Sequence, residues 1–175
     1  MIDHNNESAP DASDAVQEPI GPDDREAVVD LFNYYVENSF AAFPQEKVPY
    51  AFFDALLEST QGYPTVATRD AAGRLLGFGL LRRHHPMPAF AHTAEITYFV
   101  APGFTGQGIG SRMLAELERQ ARRQGIRTIL APISALNDGS IAFHAKHGFV
   151  EVGRFRQVGA KNDRVFDVVW MQKIL

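Results

Sequence analysis

The chain has 175 residues, 45% of them hydrophobic, with 17 Lys and Arg against 21 Asp and Glu, enough to bury one sizeable core and not comfortably two. It has no cysteine, which excludes disulfides, thiolate zinc sites and thiolate catalysis and allows an intracellular home. No apolar run reaches the length of a membrane span.

The first eighteen residues, MIDHNNESAPDASDAVQE, hold five acids and no Lys or Arg, so they are neither a secretory signal nor a core segment. Residues 1–17 are expected to be a disordered acidic tail, and 18–175 one domain. Without the tail the chain is close to neutral. Its only basic cluster, Arg119, Arg122, Arg123 and Arg127, reads as a solvated helix end, so no nucleic-acid partner is expected.

PDDREAVVDLFNYYVENS opens on Pro22 and two acids and carries Val28, Leu31, Phe32, Tyr35 and Val36 on one face, which predicts a helix. YAFFDALLEST predicts a second. YPTVATRDAAGRLLGFGLLRR reads as a hairpin turning at Asp70 to Gly73, and TAEITYFV, 93–100, as a further strand. Next comes VAPGFTGQGIGSRM, with Gly103, Gly106, Gly108 and Gly110, followed by Ile109, Met113, Leu114, Leu117 and Ala121 at helical spacing. The strand TILAPI, the short helix DGSIAFHAKH closed by Gly148, and the strands FVEVGRFRQV and RVFDVVWMQKI complete the order. Strands separated by helices predict an α/β sandwich around a mixed, mainly antiparallel sheet of six to seven strands with about four helices.

Glycines between a strand and a helix serve an unusual turn, a close backbone approach to a ligand, or looseness. An amphipathic helix directly behind them favours an anion, because its first turn presents free N–H groups and a positive dipole end. A P-loop lysine is missing, since Ile109 stands in its place, and a dinucleotide fingerprint fails at Ser111 and Thr128.

VAPGFTGQGIGSRML resembles the pyrophosphate-binding motif of the GNAT family of N-acetyltransferases, Arg/Gln-x-x-Gly-x-Gly/Ala. Gly108 and Gly110 stand for its glycines and Thr105 for the usual Arg or Gln. NDGSIAFHAKHGF resembles the family's second segment, Asn-x-x-Ser-x-x-x-(Tyr/His)-x-x-x-Gly-Phe. Together with NYYVENS, TAEITYFV and GAKNDRVFDVVWMQ the chain is similar to the phosphinothricin-type acetyltransferases from about Pro19 to Leu175.

The resemblance implies the family's α/β sandwich, acetyl-CoA as cosubstrate without a metal, and transfer of its acetyl group to the primary amine of a small molecule. That molecule would be an amino acid or analogue of the phosphinothricin, methionine sulfone or methionine sulfoximine type. It implies backbone contacts to the cofactor from Phe99, Val100, Gly106, Gln107, Gly108, Ile109, Gly110 and Ser111, with Asn137 near the pantetheine arm. Asn137 also fits a helix N-cap.

An ammonium must lose a proton before it attacks a thioester, and Glu95 corresponds to the subgroup's base. His144 stands where many relatives carry a tyrosine acid, which makes it the donor to the departing thiolate or a second base. Phe43, Arg82, Arg83 and Lys161 are the implied acceptor contacts, the cations matching a negatively charged tail. A homodimer is implied, with the C-terminal strands or pocket loops near its axis. Two other readings keep the same motifs: an acyltransferase acting on a polyamine or a protein N-terminus, and a non-catalytic acetyl-CoA-binding module.

Overall fold

A computed structural model describes residues 15–175, so the tail expected over 1–17 lies largely outside the described residues. Its boundary is corrected: the strand β1 (Val16–Glu18) already pairs with β2 (Thr65–Arg69), Val16 opposite Arg69. A Pro22–Asp24 3-10 turn leads into α1 (Arg25–Asn38), followed by α2 (Phe52–Ser59). Gly21 N–H is capped by the Asp24 carboxylate at 2.8 Å.

After β2 come β3 (Leu75–Arg83), β4 (Thr93–Val100), α3 (Ile109–Arg123), β5 (Thr128–Ser134), α4 (Asp138–Lys146), β6 (Val150–Lys161) and β7 (Arg164–Ile174). The seven strands form one sheet in the order β1-β2-β3-β4-β5-β7-β6, antiparallel throughout except for β4 beside β5. Among the described residues, four α-helices and a seven-stranded mixed sheet make up the architecture expected from the sequence.

Each face of the sheet carries its own core. Ile109, Met113, Leu114, Leu117 and Ala121, the stripe read from the sequence, bury one side of α3 against Val66, Leu76, Ala94, Ile96 and Ile129. On the other face Val28, Val29 and Leu31 of α1 and Phe53 of α2 pack on Phe78, Leu80 and Phe99. Gly77 lets β4 and α3 close on β3, since a Cβ there would lie 2.8 Å from the Phe99 carbonyl oxygen and 3.1 Å from Met113 Cε. The β6–β7 hairpin turns at Asn162 and Asp163, both at positive φ (49° and 57°), the pairing a tight two-residue hairpin requires and Asn and Asp tolerate.

Candidate active site

β4 and β5 pair only over Thr93–Glu95 and Thr128–Leu130, yet β4 runs on to Val100 and β5 to Ser134. The strands part there, and Pro132, with no N–H to donate, stands in the stretch of β5 that has left β4 while still paired with β7, opposite Trp170. A cleft of about 80 Å³ opens between them, lined among others by Tyr98, Ser134, Asn137, Ser140 and His144, with Ala41 from the loop after α1.

Backbone alternation decides which N–H groups face this cleft. Ala101 N–H donates to the Leu76 carbonyl, and the β3–β4 register runs unbroken from Val100 to Ala94. In an antiparallel ladder this turns the Phe99 N–H toward β3 and those of Tyr98 and Val100 toward the cleft. Phe99 also lines the cleft, but its N–H belongs to the ladder and its ring to the core among Phe32, Tyr35 and Phe78, so the donors turned toward the cleft are its two neighbours. The Val100 carbonyl is occupied by Tyr35 Oη at 2.6 Å.

From the cleft a groove of about 430 Å³ runs along Tyr98, Val100, Phe143 and His147 to Gly106, Gly108, Gly110 and Ser111. Gly106 and Gly108 have φ of 79° and 81°, and Gly108 caps α3 in a left-handed conformation that L side chains rarely adopt. The first intrahelical N–H bond is that of Arg112 to the Gly108 carbonyl at 3.0 Å. The N–H groups of Ile109, Gly110 and Ser111 thus head the helix without backbone partners among the described residues and without an acid in the first turn.

Such a cradle fits a pyrophosphate. Ile109 can contribute only its backbone, its side chain being in the core, and the Gln107 amide folds back onto the Gly103 carbonyl at 2.9 Å. Ser111 Oγ and His147 Nε2, 2.9 Å apart, tie α3 to α4 across the groove. Asn137 Oδ1 accepts from Ser140 N–H as an N-cap while lining the cleft, so both of its expected roles are compatible.

His144 is 3% exposed. Its Nδ1 lies 2.7 Å from the Ser140 carbonyl oxygen, which only accepts, so Nδ1 carries the hydrogen. Nε2 is therefore a bare lone pair, and Tyr98 Oη, 2.7 Å away, donates to it. Burial pushes the His144 pKa below the ordinary histidine value, with His147 adding to that and the Ser140 carbonyl opposing it.

Glu95 sits on the opposite face of β4 from Tyr98, about 10 Å further back along the strand. Arg82, its cross-strand partner, reaches Glu95 Oε2 at 2.8 Å, and His84 Nδ1 lies 2.9 Å from Oε1. The cofactor groove and the carboxylate thus occupy opposite faces of the sheet, and the gap between β4 and β5 connects them. Among the described residues no group of three or more His, Asp or Glu side chains is placed to hold a metal ion.

The remaining expected contacts separate. Arg83, next to Arg82 on a strand whose side chains alternate, lies instead in a depression with Glu58 and Tyr63, and its assignment to the acceptor is corrected. Lys161 is 2% exposed and donates to the carbonyls of Ser39 at 2.8 Å and Ala42 at 2.7 Å, so it is a tether and not a cation open to substrate. Burial holds its pKa below the usual lysine value.

That tether fixes the loop carrying Ala41 and Phe43, the latter stacked on Phe166 with centroids 6.1 Å apart. Lys161→Met preserves the stem but leaves two carbonyls unpaired. Thermal melts of the ligand-free protein should show a loss of about 1–3 kcal/mol. An unchanged melt would mean that Lys161 serves substrate rather than the loop. Tyr98 escaped the sequence reading, because nothing local marks a β4 tyrosine that meets a histidine 46 positions later.

The acetyltransferase (GNAT) family profile matches residues 28–149, and the chain belongs to that family: it is an acetyl-CoA-dependent N-acetyltransferase. Among its relatives, the phosphinothricin N-acetyltransferase of Streptomyces coelicolor is 33% identical, over 87% of this chain and 92% of that one. The L-methionine sulfoximine/L-methionine sulfone acetyltransferase of Pseudomonas paraeruginosa is also 33% identical, over 87% and 90%. The solved phosphinothricin acetyltransferase of Sinorhizobium meliloti in complex with acetyl-CoA superposes with a TM-score of 0.87 at 25% identity, covering 93% of this chain and 89% of that one.

Proposed function

We propose that the acceptor is the α-amino group of an amino acid or analogue with a polar, oxygen-bearing tail, of the phosphinothricin, methionine sulfone or methionine sulfoximine type. The observation that carries this reading is the parting of β4 and β5, which joins a groove ending on a glycine-headed helix to a face bearing Glu95 and Arg82. Acetyl-CoA lies in the groove with its pyrophosphate on the N–H groups of Gly106 to Ser111. The cosubstrate supplies an activated acetyl thioester; the chain supplies the rest.

Glu95 takes the first proton from the substrate ammonium, through a water given its distance from the cleft. The N–H groups of Tyr98 and Val100 receive the carbonyl oxygen as it gains charge, and His144 handles the second proton. Arg82 is the cation nearest the amine site, and Phe43 beside the tethered loop closes the pocket. Relatives named for phosphinothricin and methionine sulfone support the acceptor class.

A thiol-release assay with these compounds, free amino acids, a polyamine and a peptide with a free N-terminus tests the reading. Selective turnover of the analogues is expected. Preference for the polyamine or the peptide would move the acceptor to another class, and CoA binding with no turnover of any acceptor would leave a binding module.

The reading includes a homodimer formed through the β6–β7 arm. β6 is exposed along most of its length, with Val150, Val152, Phe155 and Val158 each more than half exposed, an apolar edge that a lone soluble chain would leave to water. Beside it the buried Trp170 indole N–H has no acceptor among the described residues. Light scattering across micromolar concentrations should give twice the chain mass, and Phe155→Glu should halve it; a wild-type monomer throughout rejects the dimer. The reading also places the enzyme in the cytoplasm, which the absence of cysteine suits, and cell fractionation checks it.

A further inference from the structure

We propose that Tyr98 is a catalytic residue whose hydroxyl meets the cosubstrate sulfur and, with His144 behind it, carries one proton from the acceptor nitrogen to the departing thiolate. This rests on the reading of the groove as the acetyl-CoA site. Tyr98 alone lines both the cleft and the groove, its hydroxyl lies 2.7 Å from Nε2 of His144, which itself lines the cleft, and the hydrogen bonds of His144 fix the direction of that contact. With Nδ1–H committed to the Ser140 carbonyl, Nε2 is an acceptor and Tyr98 is its donor. The phenol oxygen keeps lone pairs for a hydrogen arriving from the cleft.

The step balances without any further reactant. As the nitrogen–acetyl bond forms and the carbon–sulfur bond breaks, the substrate ammonium loses two protons. Glu95 passes the first to solvent. The second goes to Tyr98 Oη while the Tyr98 hydrogen moves to His144 Nε2, leaving an imidazolium. The imidazolium then returns its hydrogen to Tyr98 Oη as Tyr98 gives its own to the thiolate. The final state is the starting pair, the amide and the thiol.

The surroundings suit a group that shuttles a proton without keeping it. Tyr98 rests on Phe143 and stacks on the imidazole at 5.4 Å, and Phe149 closes the far side of His144 at 4.9 Å. The titratable groups facing the pair are His147 at the C-cap of α4 and Glu118 on α3, the latter bound to Lys173 of β7. Burial, reinforced by Glu118, raises the phenol above its ordinary pKa, and burial lowers the imidazole. Neither ion accumulates at rest.

Two measurements test the proposal. The first needs no acceptor: at about pH 9.5, where a thiol of pKa about 8.5 is ionised, wild type should bind CoA about tenfold more tightly than desulfo-CoA, and Tyr98→Phe should remove that preference. An unchanged ratio overturns the contact with sulfur, whatever the acceptor proves to be. The second is a double-mutant cycle on turnover with the best acceptor.

Tyr98→Phe and His144→Gln should each lower kcat roughly 100-fold at nearly constant affinity for acetyl-CoA, and the double variant should be no slower than the slower single one. Multiplying losses would mean independent roles and overturn the relay. Full turnover by Tyr98→Phe beside a slow His144→Gln overturns Tyr98 and leaves the acetyltransferase reading intact. Wild-type turnover should also decline as pH falls through the folded-state pKa of His144, which burial holds below the ordinary histidine value, because a protonated Nε2 cannot accept, and Tyr98→Phe should lack that limb.

Discussion

Glu95→Gln should turn over its acceptor roughly 100-fold more slowly than wild type at neutral pH, with acetyl-CoA affinity unchanged. Glutamine keeps the length and one hydrogen-bonding oxygen of the carboxylate but cannot take the ammonium proton, so the unreactive ammonium persists. Affinity for acetyl-CoA is spared because Glu95 projects from the face of β4 opposite the groove. The structural cost is moderate: the Glu95 side chain is 13% exposed and pairs with both Arg82 and His84, so the loss of its charge costs about 1–3 kcal/mol of stability, and the melting temperature is read beside turnover. A fall in kcat measured well below the melting temperature of the variant therefore reports chemistry. Full turnover in this variant would make Glu95 an ordinary strand residue held by Arg82 and His84, and would return the base role to the Tyr98–His144 pair.

The second large effect is expected at Gly108. Gly108→Val places a β-branched side chain at φ 81°, and its Cβ points into open space with nothing within 4 Å. Nothing in the protein clashes; the added methyl groups enter the space over the free N–H groups of α3. Titration calorimetry should show CoA affinity weakened roughly 30-fold or more, because a phosphate held a few ångströms away forfeits its charge-assisted hydrogen bonds. The backbone strain, of order 1–3 kcal/mol, needs its own control. Gly125 supplies it, with φ 79°, equally open surroundings and a place beyond the C-terminal end of α3. Gly125→Val should lose similar stability and retain CoA binding. Unchanged CoA affinity in Gly108→Val would remove the pyrophosphate from this loop.

Acid should destabilise the protein through His144. Its folded-state pKa lies below the unfolded value of about 6.5, so the unfolded chain binds the extra proton first. The stability tied to neutral His144 is whole above that value and declines as pH falls through it toward the folded pKa.

The sequence by itself determined whatever repeats locally. The 3.6-residue period of Ile109, Met113, Leu117 and Ala121 decides that α3 is a helix and which side it buries. Thr93–Val100 is the same strand in sequence and structure because β-branched and aromatic residues end at Pro102. Gly108 and Gly110 ahead of an amphipathic helix mark the anion cradle, since backbone conformation and helix polarity are properties of a few neighbours.

Only the tertiary structure decided what distant segments do to one another. Lys161 and Ser39, 122 positions apart, meet because the β6–β7 hairpin folds back on the loop after α1, and a lysine expected to meet a negatively charged substrate tail becomes a buried tether. Val16 belongs to the sheet because an edge partner, β2, lies 49 or more positions away, outside any local period. The direction of the Phe99 N–H depends on the register of β3, and the gap between β4 and β5 on where their pairing stops. Tyr98 and His144 share a proton because that gap and the seat of α4 bring two faces together, and a one-residue change of register would have turned Tyr98 to the other side.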